Sequence, residues 1–220
     1  FLHGEITKEP LSPKAYPFYY PDEHKSLIEL LEHKQPAAVI AATGKSMLHG
    51  KDPAPYIEDG NFDIPSGIIS LADFSNIQSL LNGNQTMAQF TIASYRRPSS
   101  SRQLVASNTA ANSKGRIILG AHMDSKYDTP AALDNAVGIA VLIETAGAIN
   151  ATGYDIDIVP FNSEEYFGAN GEVAYLDKLS ETHISLMINI DSPCHENSKT
   201  AISCYNLDNG LQDIVNRAIG

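Results

Sequence analysis

The stretch RIILGAHMDS, residues 116–125, holds an unbroken apolar run from Ile117 to Ala121 that stops at His122 and Asp124. A short continuous run of this kind, bounded by polar residues, reads as a strand buried on both faces. Charged or ligating groups placed directly after such a run cost burial energy unless they are paired or hold a cation. The same half of the chain repeats the pattern in DIDIVPFNSEE (155–165), ending at Glu164 and Glu165, and in ISLMINID (184–191), ending at Asp191. Helical segments alternate with these runs: AVGIAVLIETAGAI (136–149) and GANGEVAYLDKLS (168–180). The alternation implies an α/β fold, a mostly parallel mixed sheet with helices on both faces. Ligands of such sheets sit at the carboxyl ends of the strands, so these ends point to one metal site.

Individual residues sharpen that expectation. His122 and Asp124 stand two apart in a strand and so share a face. The Asp124 carboxylate is therefore expected to accept the second ring N–H of His122 and orient the metal-binding nitrogen. Asp134, in LDNAVGIA, precedes a helix and by itself suits an N-cap; beside the other strand ends it reads as a further ligand. The adjacent pair Glu164 and Glu165 fits a division of labour in which one binds metal and the other moves protons.

Outward from this half, the first part of the chain reads as a small α+β module. A helix is predicted over 22–33 with Leu27, Leu30 and Leu31 on one face, then a strand over 37–41. A Gly/Pro-rich loop from Gly44 to Asn61 precedes a strand over 66–70 and a helix over 74–81. RRPSSSRQ (96–103) has the composition of a linker. LVASNTA (104–110) and the 116–124 run read as strands around the SKG turn at 113–115. The expected plan is an N-terminal segment (1–19), a small domain (20–97) and a larger domain (98–220).

Composition excludes several classes. The 220 residues carry a net charge of -11 and no Lys/Arg run, which argues against nucleic acid as a partner. No apolar stretch reaches the roughly 18–20 residues of a membrane span, and no basic-then-apolar leader follows Phe1. Cys194 and Cys204 are too few and too far apart for a cysteine zinc site, and a disulfide between them is not expected.

Together, GAHMDS, LDNAVGIA, NSEEYFGANG and INIDSP, in that order, resemble the zinc aminopeptidases of the secreted bacterial type, relatives of glutamate carboxypeptidase and the transferrin receptor. AAVIAATG and FDIPSGIIS resemble, more loosely, the protease-associated module that many such enzymes carry. The resemblance implies a zinc-dependent exopeptidase that removes N-terminal residues from peptides, using hydroxide shared by two zinc ions. His122 and Asp191 would bind one zinc, Glu165 the other, and Asp134 would bridge both. Glu164 would be the general base, Asp124 would orient His122, and the Asp134–Asn135 peptide would be cis. A secreted or cell-envelope location is implied as well. The family's fifth ligand is a histidine downstream of the Asp191 block. His183 and His195 match it poorly, so the chain is expected to be C-terminally incomplete and weakly active or inactive. The alternatives are a glutaminyl cyclase-like single-zinc enzyme and a non-catalytic receptor-like member, and within the peptidases carboxypeptidase action stays open. The short His122-to-Asp134 spacing and the full set of candidate ligands as far as Asp191 favour the peptidase.

Overall fold

A computed structural model describes residues 1–8, 10–14, 22–43, 56–57, 59–81, 87–93, 95–126, 129–149, 153–165, 168–179, 182–194, 196–197, 199 and 201–219. Most of the loop expected over 44–61, and His195, lie outside the described residues.

Strands β1 (Leu2–His3), β2 (Val39–Thr43) and β3 (Ser66–Ser70) form a parallel sheet in that order. Helix α1 (Asp22–Lys34) opens on Asp22 and Glu23 and closes on Lys34, charges that complement its dipole. Its buried residue is Ile28, flanked by the partly buried Leu27 and Leu31. Leu30, expected on that face, is exposed, because two residues rotate a helix by about 200°. Ile28 joins Leu11, Val39, Ala41, Tyr56, Ile57, Phe62 and Ile64 in one core. The segment expected to stand apart over 1–19 contributes to this packing through its described residues: Leu2 and Ile6 lie against it, and Thr7 Oγ1 donates to the Ala42 carbonyl at 2.6 Å. Helix α2 (Leu71–Leu81) begins three residues before the expected Phe74. Ser70 Oγ accepts the Asp73 amide at 3.0 Å and donates to Asp73 Oδ2 at 2.7 Å, a reciprocal cap that fixes the earlier start.

The second sheet contains β4 (Ala106–Asn108), β5 (Arg116–His122), β6 (Asp155–Phe161) and β7 (Ile184–Asn189), in the order β4-β6-β5-β7. β5 runs parallel to both β6 and β7, while β4 is antiparallel to β6. The sheet is thus mostly parallel and mixed. The SKG turn joins strands that are not neighbours, because β4 is held on β6 by Ser107 Oγ to Asp157 (2.6 Å) and Ala110 N to Asp155 (3.0 Å). Alternation along β5 then covers both faces. Leu119 and Ala121 pack against Leu142 of α3 (Val137–Ala148), and Ile118 packs with Val159, Phe161 and Tyr175 of α4 (Asn170–Lys178). A last helix, α5, spans Asn209–Ile219. No helix among the described residues is long and apolar enough to cross a membrane.

A charged network lies toward the amino ends of β5 and β6. Asp157, 2% exposed, accepts from Arg116 Nη1 (2.5 Å), Ser107 Oγ (2.6 Å) and Tyr175 Oη (2.6 Å), and Arg116 Nη2 lies 3.3 Å from Asp155. Burial, reinforced by Asp157, pushes the Tyr175 phenol well above its ordinary range.

Candidate metal centre

His122 is the last residue of β5, between two parallel ladders, and is 2% exposed. Its Nδ1 lies 3.1 Å from the Asp124 carbonyl oxygen. A carbonyl only accepts, so Nδ1 carries a hydrogen, and Nε2 is the nitrogen that can turn a lone pair to a cation once deprotonated. Nε2 faces Asp134 Oδ1 at 2.9 Å and Asp191 Oδ1 at 3.6 Å. Burial alone would lower the imidazole pKa; the carboxylates of Glu164, Asp191 and Asp134 outweigh it and hold the ring above its ordinary value. A buried nitrogen drawn toward positive charge by carboxylates is also a site for a cation. One donor atom from each of His122, Asp134 and Asp191 lies within 4.8 Å of the others. Tetrahedral zinc with bonds of about 2.0–2.1 Å has ligand-to-ligand edges of about 3.3 Å, between the two distances to Nε2, and zinc takes this mix of imidazole and carboxylate donors. The residues fit zinc.

Asp134 sits in a kinked turn, Ala132–Ala136, at the head of α3, where its own backbone is non-helical (φ -119°, ψ 88°). The Asp134–Asn135 peptide bond is cis, the geometry that the resemblance implied. Asn135 is 1% exposed and ties this turn to the end of β7: Nδ2 donates to the Ile190 carbonyl at 2.9 Å, and Oδ1 accepts from Gly138 N at 3.1 Å and Ser192 N at 3.2 Å. A β-carbon at Gly138 would collide with that amide. Asp191, just past β7, accepts from Ser192 Oγ at 3.0 Å.

Glu164 and Glu165 follow β6 in a turn in which Ser163 has φ of 68°. Their amides donate to Asp124 Oδ1 and Oδ2, each at 3.1 Å. Asp124 therefore meets the His122 ring through its carbonyl; its carboxylate, 3.7 Å from Nδ1 at the nearer oxygen, is engaged by the two main-chain N–H groups. Glu165 is outside the three-residue donor group, and its Oε2 lies 3.6 Å from Lys126 Nζ. Burial raises the Glu164 pKa; His122 opposes this, and Glu165, Asp191 and Asp124 add to it. Burial likewise raises Glu165 against the pull of Lys126. In the first turn of α4, Glu172 is pushed up to about 7, by burial first and then by Glu164.

His183 is exposed, and its carbonyl accepts Arg116 N at 2.9 Å, at the start of β5 and away from the strand end that carries His122. Reading the sequence named Asn135 only for its peptide bond, missing its side-chain tie to the end of β7, and it missed Lys126. A polar residue beside a candidate ligand and ahead of an apolar helix was a usable sign for Asn135. Nothing in the sequence singled out Lys126.

The sequence profile of peptidase family M28 matches residues 103–218, just over half of the chain and every residue of this centre. The chain belongs to peptidase family M28. Zinc dependence is a property of that family, in agreement with the donor set of His122, Asp134 and Asp191. No curated protein and no solved structure matches the chain. The M28 match opens at Gln103, whose side chain donates to the Pro160 carbonyl at 2.9 Å and accepts from Asn162 N at 3.0 Å, next to the glutamate turn.

Proposed function

We propose that the chain is a metallo-aminopeptidase, a zinc exopeptidase that releases N-terminal residues from peptides. The observation that carries this reading is the meeting of His122 Nε2 with Asp134 and Asp191, beside a glutamate pair from the adjacent strand end. His122, Asp134 and Asp191 would hold one zinc ion, with Asp134 and Glu165 offered to a second. Zinc at this site supplies Lewis acidity, which favours deprotonation of water and polarises the scissile carbonyl. Glu164 is the general base: half-buried, with its pKa raised by burial, it takes a proton from the attacking water and returns it to the departing amine. Asp124 fixes the backbone from which Glu164 projects and, through its carbonyl, the tautomer of His122. The N-terminal unit, with its own sheet and core and lying before the family match, is read as a protease-associated-like module, and a secreted or cell-envelope location accompanies that reading.

The test is turnover of aminoacyl anilides with added zinc, beside metal counting. Glu164→Gln is expected to keep zinc and lose at least about a hundredfold in kcat, whereas His122→Ala loses the metal. Turnover by Glu164→Gln at the wild-type rate refutes the assignment. One zinc per chain in a protein that cyclises N-terminal glutamine and leaves anilides intact moves the reading to the single-zinc cyclase class.

A further inference from the structure

The loop after β5 holds the turn after β6 at consecutive peptide groups. The Asp124 carboxylate takes the amide hydrogens of Glu164 and Glu165, each at 3.1 Å, and Lys126 Nζ donates to the Glu165 carbonyl at 2.9 Å. The turn calls for such a hold, since Ser163 at φ 68° is in a region that non-glycine residues keep only where their surroundings over-determine it. The Lys126 side chain is 44% exposed, yet its ammonium reaches inward to a main-chain oxygen, with Glu165 Oε2 a further 3.6 Å contact. A carbonyl acceptor cannot move without carrying the turn with it. The contact therefore restrains backbone direction as well as balancing charge.

We propose that Lys126 is a positioning residue for hydrolysis. With Asp124 it clamps the turn at Ser163–Glu165, so that the Glu164 and Glu165 side chains leave the backbone in fixed directions. The functional half of this inference rests on Glu164 being the general base; the clamp itself does not.

The deciding experiment is amide hydrogen exchange at Glu164 and Glu165 in the metal-free full chain. Lys126→Met is expected to speed exchange at both amides about tenfold, the loss of one charge-assisted hydrogen bond. Lys126→Arg, which keeps a donor at similar reach, returns both rates to near wild type. Lys126→Gln, polar but too short for the carbonyl, behaves like the methionine variant. Unchanged exchange in Lys126→Met, or a rise that arginine fails to reverse, overturns the clamp. With zinc present, Lys126→Met lowers kcat about tenfold with KM little changed, and arginine restores it. Wild-type kcat in Lys126→Met overturns the positioning role. Absence of zinc binding in wild type would sink the metal-site reading, while the exchange comparison would still decide the clamp.

Discussion

Replacing Arg116 by methionine isolates the energetic weight of the buried network between β5 and β6. Arg116 gives Asp157 its cationic partner at 2.5 Å, and the two side chains are 17% and 3% exposed. Breaking a buried pair of this sort by removing one member costs about 3–5 kcal/mol, because the other charge is left without compensation. Two features move the expectation to the lower end. Ser107 and Tyr175 still donate to the carboxylate at 2.6 Å each. Arg116 Nε has no partner among the described residues, so its removal also relieves a buried unsatisfied donor. The expected loss is about 3 kcal/mol, which for a chain of this size lowers the melting temperature by about 6–12 °C. Urea unfolding of the metal-free protein, followed by far-UV circular dichroism, measures it. Arg116→Met combined with Asp157→Asn is expected to lose clearly less than the sum of the single variants, since each removes the same interaction. A single-variant loss below about 1 kcal/mol, or strict additivity in the cycle, would refute the argument.

Further outcomes follow from the site. Glu172 titrates near 7 in the folded protein against an ordinary 4.5, so the fold binds a proton that the unfolded chain releases between those values. That contribution to stability is complete below 4.5 and is lost as pH rises through 7. Glu172→Gln, compared in urea without metal, should match wild type at about pH 4 and exceed it at about pH 8; parallel curves would contradict the sign. Gly138→Ala gains about 1 kcal/mol of helix propensity. The new methyl group displaces the Asn135 amide, however, and overpacking of about 1–3 kcal/mol prevails. Chelator competition should show weaker zinc binding in that variant, and unaltered affinity would separate Asn135 from the metal centre.

The carboxyl strand ends were legible because an apolar run broken by a ligating residue has few other readings. His122, Glu164, Glu165 and Asp191 all sit where such runs stop. The partner of β4 was not legible: its three residues are exposed, and its place is set by hydrogen bonds to Asp155 and Asp157, about 50 positions away. The start of α2 was legible and overlooked, since Ser70 and Asp73 have the spacing of a reciprocal cap. The exposure of Leu30 shows the limit of counting leucines, because the apolar face centres on an isoleucine two residues earlier. Asp124 was expected to reach the His122 ring by its carboxylate, whereas its carbonyl makes the closer contact, 3.1 Å against 3.7 Å. Side-chain alternation says which residues share a face, but not whether a carbonyl or a carboxylate makes the contact.

Arg116 stands opposite Asp155 in the β5–β6 ladder, and His122 stands opposite Phe161 at its other end. The ion pairs with Asp155 and Asp157 therefore act as the zero mark of a ruler whose far graduation is the metal centre. Sliding β6 by one residue would forfeit those pairs, turn its buried side chains to the opposite face, and shift the glutamate turn by about 3.3 Å. The distance between the His122 imidazole and the Glu164 carboxylate is thus measured from the far rim of the sheet, by residues at the amino ends of its strands.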